Sequence, residues 1–218
     1  GVKAAEAAAP NLGALSRGMK NLHKHLERVR RFGIEPVVAV NVRAEDPADE
    51  IAFIVDELTR AGVDVAPADV YGRGGDGALD LASRVLARAR GATPEPQFMY
   101  DLSDSPMEKV KKVARAIYGA SDVDFSVTAK KQLDQAQALG FGDLPVCIAK
   151  THLSLSDNEK LVGRPQSFDM TVREVRIAAG AGYLVPLTGD ITTMPGLPRT
   201  PHAAAIDLLP DGTIVGIQ

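Results

Sequence analysis

The chain is 218 residues long, with 45% hydrophobic and 24% charged residues and a formal net charge of −3. These ordinary globular values exclude a disordered or collagen-like chain and supply no general attraction to nucleic acid or to anionic lipid. No apolar run approaches the ~20 residues of a membrane-spanning helix, no signal peptide is visible, and a single cysteine excludes an internal disulfide and fits a reducing, cytoplasmic compartment. The length allows one large domain or two small ones. The chain opens on Gly1 rather than methionine, as a processed terminus or an excised piece would.

After an Ala-rich opening, Leu12, Leu15, Met19, Leu22, Leu26 and Val29 recur at intervals of three and four, which predicts an amphipathic helix capped by Asn11 and stopped at Gly33. Residues 36–41 (Pro-Val-Val-Ala-Val-Asn) form a β-branched run without polar alternation, the pattern of a strand buried on both faces. Asp46 and Pro47 read as the cap and first-turn proline of a second helix, with Ile51, Ile54, Val55 and Leu58 as its apolar stripe and Gly62 as its end. A short strand at 63–66, a segment 68–71, a glycine loop and a helix over 78–90 follow. Alternating strand and helix at this spacing implies parallel β-α-β units.

Pro94-Glu-Pro96 breaks that pattern, and we place a boundary there, between 1–93 and 94–218. Ser105-Pro-Met-Glu108 has the form of a capping box with proline at the first helical position, opening a helix that runs to about Tyr118. A further helix is expected over 128–139, apolar strands over 144–149 and 182–187, and alternation at Phe168, Met170 and Val172. Pro210-Asp-Gly212 between two apolar runs predicts a terminal hairpin. The fold class is therefore α/β: a parallel or mixed sheet with flanking helices, a second α/β subdomain and a C-terminal hairpin.

Several residue clusters have both a chemical and a structural reading. Gly72-Arg-Gly-Gly-Asp-Gly77 matches Gly-x-Gly-x-x-Gly, with Asp101 following at roughly the distance of a ribose-binding acid. The segment before it is short and polar, so a glycine loop passing close to a ligand or a neighbouring backbone is the better reading. Lys20, Lys24, Arg28 and Arg31 follow helical spacing and read as a solvated face in preference to an anionic-ligand site. Cys147, inside an apolar run, reads as an inert buried thiol rather than a nucleophile. His23 and His25 are two apart and cannot chelate together on a helix, and no structural zinc site can be built on one cysteine. No Gly-x-x-x-x-Gly-Lys-[Ser/Thr] phosphate loop occurs in the chain. From the residues alone, ligand loops are expected near 41–46, 71–77 and 188–198, where glycines and prolines follow apolar strands.

Longer motifs carry a resemblance. Asn21, Leu22, His25, Phe32 and Gly33 lie in an Asn-Leu-x-x-His…Phe-Gly pattern, and Val-Ala-x-Asn stands at 38–41 with Asp46 following. The Gly-Gly-x-Gly loop is at Gly74, Gly75 and Gly77, Leu-Pro-Val-Cys-x-Ala-Lys-Thr at 144–151, and Leu-Ser-Asp at 155–157. Val-Arg-x-x-Arg stands at 172–176, and Thr-Gly-Asp-Ile-x-Thr-Met-Pro-Gly-Leu-Pro at 188–198. In this order and spacing they resemble the C-terminal portion of formate–tetrahydrofolate ligases. The resemblance implies a P-loop NTPase-like family fold and an activity in which formate attacks the γ-phosphate of ATP. N10 of tetrahydrofolate then attacks the resulting formyl phosphate. Magnesium is implied with ATP, a monovalent cation as a supporting ion, and a homo-oligomer as the assembly. The catalytic residues and phosphate loop belong, by the same resemblance, to an N-terminal half.

The resemblance further implies nucleotide contacts at Asn41, Gly74 and Gly75, and folate contacts at Arg43, Tyr71, Pro195, Gly196, Leu197 and Pro198. Arg43 stands where the family commonly has phenylalanine, Tyr71 where it has tryptophan, and His152 where it has glutamine. Tyrosine keeps a flat π face, and arginine can stack through its guanidinium or pair with the carboxylates of a polyglutamate tail. Two functions stay open on the sequence: a ligase segment inactive without its other half, and a non-catalytic nucleotide- or pterin-binding scaffold derived from it.

Overall fold

The computed structural model describes residues 2, 9–91, 95–189 and 200–216. Helix α1 (Leu12–Arg31) begins where Asn11 Oδ1 accepts the backbone N–H of Ala14 at 2.9 Å. Its last turn carries Arg28, Arg30 and Arg31, which complement the negative end of the helix dipole. Gly33, at φ 78°, turns the chain out of the helix. The expected stripe is only partly inside. Met19 and Leu26 are buried and pack with Leu58, Val63 and Val65, while the end positions Leu12 and Val29 are exposed.

Strand β1 (Val37–Asn41), helix α2 (Ala48–Arg60) and strand β2 (Asp64–Ala68) form the expected parallel unit, in register from Val37 opposite Asp64 to Asn41 opposite Ala68. Two expectations fail here. Asp46 does not cap α2, because Pro47 is the N-cap residue and the Asp46 carboxylate instead accepts the N–H of Arg43 at 2.8 Å, closing the 43–46 turn. Nor is β1 buried on both faces. Ala39 and Asn41 are exposed and the rest half-buried, since among the described residues β1 has one strand neighbour and its apolar contacts are Val38 and Val40 on the α1–α2 side. A single helical turn α3 (Val70–Arg73) and a 3-10 segment at 74–78 lead into helix α4 (Leu79–Ala89), whose Arg84 and Arg88 both reach Asp64 on β2.

The second unit packs more densely. Helix α5 (Pro106–Val113) starts with the Ser105 cap and Pro106 in the first turn, then widens into a π-helical turn over Ala114–Tyr118 that Gly119 ends at φ 81°. Strand β3 (Val123–Phe125), helix α6 (Val127–Ala138) and strands β4 (Met170–Ala178) and β5 (Tyr183–Thr188) complete it. The sheet order is β3-β4-β5, with β3 parallel and β5 antiparallel to β4. Its core joins Val110, Leu133, Phe168, Met170, Val172 and Leu184. Lys109 is buried as well. Its Nζ donates to the carbonyls of Gly142 at 2.7 Å and Leu144 at 3.1 Å, fixing the chain that enters the 144–149 segment.

That segment is not a full strand. It makes two isolated parallel bridges to β5, Val146 with Leu184 and Ala149 with Leu187, supported by four backbone hydrogen bonds of 2.8–2.9 Å. Its side chains alternate, with Leu144, Val146 and Ile148 against the core and Pro145 and Cys147 outward. Cys147 is thus exposed, contrary to the buried thiol expected from composition. A short apolar run at a sheet margin buries one face only, and the period of two puts the cysteine on the other. The terminal hairpin pairs β6 (Asp207–Leu208) with β7 (Ile214–Val215) as expected.

The two units meet along the basic face of α1. Arg28 Nε donates to the carbonyl of Ile117 at 2.6 Å, and Asn21 Nδ2 to that of Gly163 at 2.8 Å. Arg164 forks onto both oxygens of Glu27 at 2.7 and 2.9 Å. The stripe is therefore a solvated face only in part: Lys20 and Arg31 are exposed, but Lys24 is only 7% exposed and Arg28 is half-buried. Helical spacing finds such a face but does not say what lies against it.

Candidate ligand site at the end of the parallel strands

In open α/β sheets, ligands sit outside the carboxyl ends of the parallel strands, where the loops splay apart. Asn41 stands at that end of β1 with Arg43 in the turn after it, and Tyr71, Gly74 and Gly75 follow the same end of β2. Asn41 closes β1 and is exposed. The next residue, Val42, still donates to the carbonyl of Ala68 at 3.0 Å, so the two strands are tied together to their ends. Arg43 then enters the turn held by Asp46, with its backbone N–H and carbonyl both bonded to that residue and its side chain exposed.

The facing loop is shaped by Asp69. Its carboxylate accepts the N–H of Gly72 at 2.8 Å, its N–H donates to the carbonyl of Gly77 at 3.2 Å, and its carbonyl accepts from Arg73 at 3.1 Å. A Cβ on Gly77 would lie 1.9 Å from that carbonyl oxygen, so only glycine fits there. The glycine run is thus a close approach of backbone to backbone, as its weak fit to a dinucleotide motif suggested. Gly74, at φ 57° and ψ −141°, requires glycine for a second reason. Gly75 faces open space. With the loop so held, Tyr71 projects outward at 97% exposure, an unburied aromatic beside the end of the sheet. Pro195, Gly196, Leu197 and Pro198 lie outside the described residues. Among the described residues no group of three or more His, Cys, Asp or Glu side chains stands together as a metal site.

A second concavity was only half legible in the sequence. Between α1, the π turn and residues 148–155 lies a cavity of about 530 Å³. The stripe position Arg28 and the motif residues Asn21, His25, Lys150 and His152 all line it. Burial lowers the pKa of Arg28, of Lys150 and of His25, and the charge of Arg28 pushes the latter two down further. The signal for this site was the basic stripe together with the Ala-Lys-Thr motif. What sequence could not supply was that the π turn places Tyr118 between them.

The fold is that of an α/β protein, and glycine-shaped loops at the carboxyl end of a parallel strand pair stand where such proteins place their ligands. The comparison with known families narrows this. The family model for formate–tetrahydrofolate ligase matches residues 1–218, and the chain belongs to that family. The formate–tetrahydrofolate ligase of Myxococcus xanthus (strain DK1622) is 48% identical over 221 residues, covering 100% of this chain and 40% of the relative. The chain thus spans well under half the length of that protein.

Proposed function

We propose that this chain is the segment of a formate–tetrahydrofolate ligase that holds the adenine and the folate, within an enzyme forming 10-formyltetrahydrofolate, ADP and phosphate from formate, ATP and tetrahydrofolate. The observation that carries the proposal is the family match across all 218 residues. Asn41, Arg43 and Tyr71 at one end of the parallel pair agree with it. In this reading Asn41, Gly74 and Gly75 border the nucleotide, and Tyr71 and Arg43 flank the pterin–benzoyl system together with the loop at Pro195, Gly196, Leu197 and Pro198. Residues 1–93 complete a P-loop NTPase-like domain and 94–218 form the second subdomain.

Phosphoryl transfer rests almost wholly on positioning and charge stabilisation, and this chain carries no Walker-type phosphate loop. The step from formate to formyl phosphate is therefore assigned to an N-terminal ligase half. Magnesium accompanies the nucleotide phosphates, and a monovalent cation supports the reaction. A cytoplasmic homo-oligomer is the proposed assembly. What this chain's residues do is bind and orient. An exposed aromatic held by a rigid loop costs little entropy to immobilise against a flat ligand.

The test is formylation of tetrahydrofolate by the 218-residue chain alone and with a ligase half bearing a phosphate loop. No turnover is expected alone, and ATP-dependent turnover is expected on supplementation. In the supplemented enzyme Tyr71→Ala should weaken folate binding by about 1 kcal/mol or more while adenine nucleotide affinity holds. Arg43→Ala should preferentially weaken polyglutamylated folates if the guanidinium reads carboxylates. Robust turnover by the chain alone, or unchanged folate affinity in both variants, would defeat the reading.

A further inference from the structure

The cavity between α1, the π turn and residues 148–155 is lined by two cations, Arg28 and Lys150, and the nearest carboxylate bonded to its wall is Glu159, which accepts from Thr151 Oγ1 at 3.1 Å. Arg28 spends Nε on the Ile117 carbonyl and Nη1 on His25 Nδ1 at 3.3 Å, and its Nη2 is sealed from solvent with no hydrogen-bond partner among the described residues. Lys150 Nζ donates to the carbonyls of Thr151 and Ser154, both on its own loop. Among the described residues neither cation makes an ion pair and no Asp or Glu lines the cavity. Asp157 eases Lys150 only through its more distant field, and Glu27 is engaged by Arg164 and Lys24.

The two cations also face one aromatic ring. The Arg28 guanidinium carbon stands 5.1 Å and Lys150 Nζ 5.3 Å from the centroid of Tyr118. The ring offers each a partial counter-charge, but burying two like charges against it remains costly unless an anion joins them. The π turn that presents both the Ile117 carbonyl and the Tyr118 ring is a local irregularity of a kind found at functional positions. Cavities of this size hold small organic ligands, and Ile148, Leu153 and Leu155 give this one an apolar wall.

We propose that this cavity binds a small organic anion, with its carboxylate or phosphoryl oxygens between Arg28 and Lys150 and its carbon skeleton against Ile148, Leu153 and Leu155. The site is separate from the loops at the end of β1 and β2. Arg28 lies sixteen positions along α1 from Leu12, the end nearest those loops, or about 24 Å at 1.5 Å per residue. The proposal does not rest on the ligase reading.

The test is calorimetric titration of the 218-residue protein with glutarate and, separately, with glycerol phosphate, at constant ionic strength and with chloride as the control. Saturable binding of at least one probe is expected. Preference for glutarate assigns a carboxylate ligand, and preference for glycerol phosphate a phosphoryl one. Arg28→Gln and Lys150→Met should each raise the dissociation constant of the preferred probe tenfold or more. Should Arg28→Gln fail to fold, Lys150→Met alone decides, because Lys150 bonds only to carbonyls of its own loop. Linear, non-saturating heats with both probes, or wild-type affinity in a folded Lys150→Met, would overturn the proposal.

Discussion

The β1–β2 unit and the β3–β4–β5 unit are built from similar elements but are stabilised differently. In the second, β4 has a strand on each side, and Met170, Val172 and Val175 go inward against α5, α6 and Leu184 of β5. In the first, β1 has no fully buried residue, and Val63 and Val65, beside and in β2, carry the sheet's share of the core with Met19, Leu26 and Leu58. The exposed end of that unit is where Asn41, Arg43 and Tyr71 stand. Side-chain packing holds one half of the molecule, and backbone hydrogen bonds and obligatory glycines shape the exposed end of the other. Ligand-binding loops are drawn from the less packed part of a structure because they must meet something other than the protein itself.

Truncating the denser core should show the largest effect. Leu184 is fully buried, between β4 and the bridge to Val146, so Leu184→Ala should destabilise the protein by about 2–5 kcal/mol. Val38→Ala in β1, at a half-buried position, should cost about 1 kcal/mol. Urea unfolding of both variants measures the contrast, and equal losses would erase the distinction between the two units.

A backbone-shaped loop makes a sharper test of the first unit. Gly77→Ala drives a Cβ into the Asp69 carbonyl and should cost about 1–3 kcal/mol, as overpacking does. Gly75→Ala meets no atom within 4 Å and should stay within about 0.5 kcal/mol. If thermal melts rank the two the other way, the Asp69 turn is not what holds this loop.

The smallest effect lies where the units join. Burial alone would raise the Glu27 carboxyl, but the hydrogen bond and charge of Arg164, with Lys24, outweigh it and leave its pKa below the usual glutamate value. A depressed folded pKa contributes stability that is fully present above the unfolded value and is lost as pH falls through the folded one. Glu27 is 44% exposed, so solvent screening keeps the contribution below about 1 kcal/mol. Glu27→Gln should therefore shift the urea midpoint slightly at pH 7 and converge with the parent near pH 3. A constant offset at all pH values would show that the Arg164 contact acts through packing rather than charge.

The sequence by itself determined the elements whose causes are local. Asn11 and Ser105 cap the helices expected of them, Gly33 and Gly62 end theirs at positive φ, and the apolar stripe of α1 supplies Met19 and Leu26 to a core. The ordered motifs likewise reached the family that the comparison shows. Only the tertiary structure decided what each amphipathic surface faces. A strand's period says that Cys147 and Ile148 point in opposite directions, but the order of strands around them chose which was outward. The spacing of Lys24 and Arg28 marked a basic face, whereas the π turn and the 148–155 loop, brought across more than eighty residues of chain, made it one wall of a cavity. Capping and periodicity act over a few residues and are written in them. Burial and charge neutralisation depend on which distant segment arrives, and that is set by the packing of the whole.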